Sequence, residues 1–241
     1  MKLIEKLVWD SNFFGLNIGR SYINHGQSFS SNDFLMEARS AYDLIYVFSN
    51  QMLAKNIVDE INLELADIMI TLSQPLELTN NQNVAYSLKT KLSGKEMDEC
   101  YEIAEQTSEV SRFYSEPLIG HGKARELYRK WIDNAINNKF ADGILIAKTE
   151  DTIAGIHVVK TIKEENTGLC SLIGVSPKFK GLGIGRNLWN QAFNYWNELG
   201  SITKCKVPFS IKNSESFNFH LKIGFDKVEE IKYIYHYRNK N

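Results

Sequence analysis

Apolar residues along this chain fall into short blocks separated by polar turns, and the blocks switch between strand-like and helix-like periods. Residues 2–8 and 18–23 read as strands, joined by the aromatic, turn-forming stretch Trp9-Asp10-Ser11-Asn12-Phe13-Phe14-Gly15. Ser30 or Ser31 is placed to cap a helix through Asp33-Phe34-Leu35-Met36-Glu37-Ala38, because a hydroxyl there can accept from first-turn amides. Leu44-Ile45-Tyr46-Val47-Phe48 is β-branched and aromatic, the pattern of a buried strand. Asn50 is a candidate cap for a second helix through Ile57, Val58 and Ile61, and residues 65–72 form a further strand. Pro75 and Thr79-Asn80-Asn81-Gln82-Asn83 then read as a linker. The expected division is an N-terminal α/β unit, residues 1–80, and a larger unit, residues 81–241.

The larger unit opens with a strand at 84–92 and a helix at 94–107, followed by a loop at 111–117. A helix at 123–138 places Leu127, Trp131, Ala135 and Ile136 at helical spacing. Strands at 144–148 and 153–163 make a hairpin around Thr149-Glu150-Asp151, with Glu164-Glu165 on a solvated face. Then come a strand at 168–175, a helix at 185–199, a strand at 204–209, a helix at 213–223 and an alternating strand at 231–237. The fold class is therefore α/β, with a mixed sheet.

Between the strand at 168–175 and the next helix lies Lys180-Gly181-Leu182-Gly183-Ile184-Gly185-Arg186. Glycines let a ligand approach the backbone, successive N–H groups can point into one concavity, and the helix dipole adds partial positive charge there. The loop reads as a phosphate site. It is not a P-loop, which needs Lys and then Ser or Thr after the last glycine, where this chain has Arg186-Asn187. Nor is it a dinucleotide fingerprint, because Gly181, Gly183 and Gly185 alternate strictly.

Composition narrows the function classes. The 241 residues are 43% hydrophobic and 12% aromatic, enough for a packed core, and the net charge is −1. With no basic block, nucleic-acid binding is disfavoured. No apolar run reaches the length of a membrane span, and the first residues lack a signal-peptide core. Cys100, Cys170 and Cys205 are isolated, with neither metal spacing nor a disulfide framework, so the expectation is a cytoplasmic protein without a metal. Cys170 reads as a small buried thiol. His157 and His236 fall on strands as structural residues, while His25 and His121 fall at the surface.

The glycine loop resembles the acetyl-CoA loop of the GNAT acetyltransferases, Arg/Gln-x-x-Gly-x-Gly/Ala, with Lys180, Gly183 and Gly185 at its defining places. The order β-α-α-β-β-β-α-β-α-β over residues 84–238 is similar to that fold. The segment 213–225 resembles the family's Asn-x-x-Ala-x-x-x-Tyr-x-x-x-Gly-Phe, matching at Asn213, Gly224 and Phe225 with His220 in the Tyr place. The resemblance implies a GNAT acyltransferase fold preceded by an α/β half-domain. It implies that acetyl-CoA lies along Ile173, Gly174 and Val175, in a V-shaped cleft opened by a strand bulge. The diphosphate would rest on Lys180, Gly181, Leu182, Gly183, Ile184, Gly185 and Arg186. His220 would serve as general acid toward the CoA sulfur. Asn213 would support the cofactor, or simply cap its helix. A water chain or an acidic residue such as Glu109 would serve as base.

Three stretches resemble a narrower group: Trp9-Asp10-Ser11-Asn12-Phe13-Phe14-Gly15, Ser111-Arg112-Phe113, and Tyr128-x-x-Trp131-Ile132-x-Asn134-Ala135. They are similar to the dTDP-fucosamine (dTDP-4-amino-4,6-dideoxygalactose) N-acetyltransferases of bacterial surface-polysaccharide synthesis. That resemblance implies a nucleotide-sugar acceptor. Phe13, Phe14 and Phe113 would stack on its rings or join an interdomain core, and Arg112 would pair with diphosphate. A GNAT enzyme for another small amine and a non-catalytic acyl-CoA-binding module are the alternatives. The alternating last strand fits either an intramolecular sheet or a homodimer.

Overall fold

Trp9 and Phe13 stand one helical turn apart and their rings stack, with centroids 5.0 Å apart. With Gly15 closing the turn at φ +70°, this makes the expected turn a helix, α1 (Val8–Phe14), in the computed structural model of the chain. The structure describes residues 3–24, 29–76, 85–137 and 140–239. The segment 79–83, the boundary near residue 80, Val84 and His25 lie outside the described residues.

The remaining elements follow the expected order with shifted ends. The first part holds β1 (Glu5–Lys6), β2 (Ile18–Tyr22), α2 (Ser31–Ala41), β3 (Leu44–Ser49), α3 (Lys55–Glu60) and β4 (Leu63–Pro75). The second holds β5 (Leu88–Lys89), α4 (Gly94–Ser108), α5 (Gly120–Ile136), β6 (Gly143–Thr149), β7 (Thr152–Ile162) and β8 (Thr167–Val175). It continues with α6 (Ile184–Leu199), β9 (Lys204–Ser210), α7 (Ser214–Lys222) and β10 (Lys227–Arg238). Caps explain several ends. Ser30 caps α2, and Ser93 with Glu96 forms a reciprocal capping box on α4. Asn50 caps nothing: α3 starts later, with Ala54 at its N-cap.

Among the described residues ten strands form one mixed sheet, in the order β1-β2-β3-β10-β4-β9-β8-β7-β6-β5. The C-terminal strand β10 lies between β3 and β4, antiparallel to both, so strands from both parts of the chain interleave. In β6 and β7, Ile144, Ile146, Ile156 and Val158 face the cluster under α4 and α5, while Leu145 and Val159 face Trp189 and Trp196 of α6. The first cluster also takes in Ile18, Leu44 and Tyr46 from β2 and β3, so one core surface crosses the sheet beneath α1, α4 and α5. On the other face, α2 covers Ile45, Val47, Tyr235 and Tyr237.

Two glycines record where helices press on the sheet. A Cβ on Gly168 would sit 2.4 Å from the Trp196 ring, and one on Gly174 would sit 2.7 Å from Ile103 of α4. Gly168→Ala is therefore expected to destabilise the protein by about 2 kcal/mol, the usual scale of core overpacking. Chemical denaturation checks this; an unchanged midpoint would show that the Trp196 contact is not rigid.

Candidate active site

Strands β8 and β9 run parallel but pair only at Thr167↔Lys204, Gly168↔Cys205 and Leu169↔Lys206. Beyond that point they part, and residues 170–175 have no ladder partner on the β9 side. Exposed sheet edges of this kind are ready to bond a ligand. On the β7 side, Val158 pairs with Leu172 and Val159 with Cys170, which leaves Ser171 as a bulge. The cleft thus opens where the two strands splay, with the bulge in its wall.

At the C-terminal end of β8 the glycine loop turns into α6. Gly181 (φ +81°) and Gly183 (φ +76°) hold left-handed conformations, and a Cβ on either would meet nothing within 4 Å. The need for glycine is conformational, and the space above the loop is open. The N–H groups of Gly183, Ile184, Gly185 and Arg186 have no hydrogen-bond partner among the described residues; the helix ladder begins at Asn187, which donates to Gly183. Gly185 packs against Phe219 of α7, and Lys180 pairs with Glu215 of the same helix at 2.8 Å. Asn213 caps α7 by accepting from the Ser216 N–H at 3.0 Å. Ile173 and Val175 are half-buried along the strand.

On the opposite face, under α5, is a cavity of about 490 Å³ lined by Trp9, Trp131, Asn134, Phe140, Val158, Ser171 and Leu172. The bulged Ser171 therefore belongs both to the splayed strand and to the cavity wall. Of the aromatic residues expected at a substrate site, Phe13 stacks behind Trp9, and Phe14 stacks on Phe113 at 6.2 Å. Phe113 is buried and meets Trp131 edge-on. These phenylalanines back the cavity, whereas the tryptophans line it. Trp131 and Asn134 stood in a motif flagged by resemblance, but Phe140 and Ser171 carried no sequence signal.

Arg112 lies beside this wall, its guanidinium carbon 4.0 Å from the Phe113 ring and 5.0 Å from that of Tyr46. Burial pulls it down from the usual arginine range, opposed by Tyr46 and Asp67. Its Nε has no partner. Asp67 is buried in β4, accepts from Ser210 Oγ at 2.5 Å, and acts electrostatically on both Arg112 and Tyr128. The signal for it was a single acid in the apolar run Leu65-Ala66-Asp67-Ile68-Met69-Ile70. Further along, burial raises the Glu116 carboxyl, but hydrogen bonds from His236 and Arg238 outweigh this and hold it at about 2. Burial lowers the His236 pKa, opposed by its contact with Glu116, to which its Nδ1–H donates.

His220 departs from its expected role. It is fully buried, stacked on Phe209 and edge-on to Trp189 and Phe225. Its Nε2 accepts from the Trp189 indole at 3.2 Å, so its single proton sits on Nδ1, which donates to the Ser216 carbonyl at 2.8 Å. Burial lowers its pKa to about 4. A neutral imidazole with both nitrogens engaged has no proton to offer a leaving thiolate, and we assign it to the core. Glu109 forms an exposed ion pair with Arg125. All three cysteines are buried and unpaired. Among the described residues no three His, Cys, Asp or Glu side chains converge as metal ligands, and no helix is long and apolar enough to cross a membrane.

Residues 97–225 match the model of the Acetyltransferase (GNAT) family. No curated protein sequence matches the chain. Among solved structures, it is similar to a functionally unknown conserved protein from Staphylococcus epidermidis ATCC 12228, at TM-score 0.62 and 15% identity, over 92% of this chain and 85% of that one. A GNAT-family acetyltransferase from Colwellia psychrerythraea aligns at TM-score 0.53 and 9% identity, over 92% and 77%. A GCN5-related N-acetyltransferase from Kribbella flavida aligns at TM-score 0.52 and 11% identity, over 90% and 80%. At these identities the likeness shows the fold.

Burial of His220 and His157 makes stability depend on pH. Their pKa values fall from 6.5 to about 4 and about 3, so the unfolded chain takes up protons first as pH drops. Stability is full above pH 6.5 and declines toward pH 4, with His220 contributing on the order of 3 kcal/mol of that loss. Chemical denaturation of the wild type and His220→Phe across this range is expected to show a shallower slope in the variant. Equal slopes would show that His220 titrates normally in the folded protein.

Proposed function

Because the chain belongs to the acetyltransferase (GNAT) family, we propose that it transfers the acetyl group of acetyl-CoA to the amine of a nucleotide-linked amino-deoxy sugar. The acceptor is of the dTDP-4-amino-4,6-dideoxyhexose type, a building block of surface polysaccharide. The observation that carries this reading is the meeting, at the Ser171 bulge, of an unpaired strand edge with an aromatic cavity on the other side of the sheet.

Acetyl-CoA supplies the acetyl group as a thioester. The free backbone of residues 170–175, Ile173, Gly174 and Val175 among them, bonds its pantetheine arm as a missing strand would. The free amides of Gly183, Ile184, Gly185 and Arg186 bind its diphosphate at the start of α6, in the loop that Lys180, Gly181 and Leu182 open. Gly174 lets α4 press on the strand here. Trp9 and Trp131 hold the sugar ring, Asn134 offers it a polar contact, and Arg112 meets the acceptor's diphosphate. Asp67, fixed by Ser210, takes the ammonium proton, freeing the nitrogen lone pair to attack the carbonyl. Holding the two substrates in line supplies much of the acceleration. Water or a backbone donor, not His220, meets the departing thiolate.

Two outcomes are expected when CoA release is followed from acetyl-CoA with dTDP-4-amino-4,6-dideoxygalactose. The wild type and His220→Phe turn over at similar rates per folded molecule, and mass spectrometry finds one added acetyl group on the sugar. Asp67→Asn lowers kcat by roughly a hundredfold or more. Turnover only with a non-nucleotide amine would overturn the acceptor assignment, and a wild-type rate in Asp67→Asn would remove Asp67 as the base.

A further inference from the structure

Beside Arg112, on the side away from the cavity, β2 and β3 carry polar groups and an aromatic face that the steps above do not use. Arg20 and Tyr22 of β2 stand opposite Tyr46 and Phe48 of β3, on the face shared with Arg112. Tyr46 is 1% exposed, yet among the described residues its hydroxyl has no hydrogen-bond partner, and neither does the neighbouring Arg112 Nε. A buried unpaired hydroxyl costs free energy, so a folded protein keeping one calls for an explanation. Two orphaned groups side by side, one of them cationic, are explained together by an oxyanion that accepts from both.

The ring of Tyr22 supplies the second observation. It is 52% exposed although it stacks on Phe48, with centroids 5.6 Å apart. Strand β1 covers β2 only at Gly19 and Arg20, so among the described residues no strand lies beside Tyr22 on its outer side. The Arg112 guanidinium carbon is 6.0 Å from the Phe48 ring. A flat aromatic surface thus begins where the arginine ends. Arg20, held by its ion pair with Glu5, reaches over Tyr22 at 5.5 Å and braces the ring from the strand side.

We propose that the acceptor site continues past Arg112 onto β2 and β3, where Tyr46 Oη joins Arg112 on a phosphate and Tyr22, backed by Phe48, stacks on a nucleobase. The proposal rests on the nucleotide-sugar reading above and deepens it. It divides the acceptor along the protein: the sugar ring between Trp9 and Trp131, the diphosphate at Arg112 and Tyr46, and the base on Tyr22. Aromatic stacking takes any base face, so the platform recognises a nucleoside diphosphate by shape and charge.

Calorimetric binding of dTDP and of inorganic pyrophosphate tests this without acetyl transfer. Tyr22→Ala should weaken dTDP roughly tenfold while leaving pyrophosphate unchanged, and Tyr22→Phe should restore dTDP binding. Tyr46→Phe should weaken both ligands roughly tenfold. Because the lost hydroxyl has no partner in the free protein, the Tm of Tyr46→Phe should stay level or rise, which separates ligand binding from a structural role. If dTDP binds the wild type, Tyr22→Ala and Tyr46→Phe equally well, the subsite is overturned and the nucleotide-sugar reading stands. If the wild type does not bind dTDP at all, both fail.

Discussion

Only three residue pairs join β8 to β9 before the strands separate. The sites proposed above for acetyl-CoA and for the sugar are arranged around that separation. A sheet normally satisfies each strand's N–H and C=O groups with the strand beside it. Here the edge from Cys170 to Val175 is held in strand geometry by β7 on one side and by α4 pressing at Gly174, but is left without a partner on the other. In the proposed reading, acetyl-CoA supplies the ladder that β8 lacks on this side. The glycine loop at the strand's end and the bulge at Ser171 extend the same opening, one toward α6 and the other through the sheet to the cavity.

The N-terminal segment completes this arrangement through β10. By inserting between β3 and β4, that strand joins β2 and β3 to β4, which itself pairs with β9, and so sets Tyr46 and Asp67 on the face where Arg112 lies. The Glu116, His236 and Arg238 group ties the loop between α4 and α5 to the same strand. Removing one member of such a buried set leaves a charge uncompensated, so the group fixes the loop from which Arg112 projects.

How much of this the residues disclosed follows from how local each feature is. The glycine loop was legible because left-handed backbone at Gly181 and Gly183 demands glycine, and the spacing shows it directly. The caps at Ser30 and Asn213 are likewise written within four residues. The place of β10 was not legible, since it depends on pairings such as Tyr235 with Val47 and Leu65, far apart in the chain. His220 shows the same limit. Its motif position suggested an acid, but Trp189, Phe209 and Phe225 arrive from three other parts of the chain to enclose it. Residues 9–15 were visible as an aromatic, turn-forming stretch, but the stack of Trp9 on Phe13, and hence α1, needed the third dimension.

Hydrogen–deuterium exchange of the backbone amides, with and without acetyl-CoA, tests the unpaired edge most directly. The account predicts protection confined to two segments, residues 170–175 of the splayed strand and residues 181–186 of the glycine loop. Binding that leaves both segments exchanging as in the free protein would contradict it.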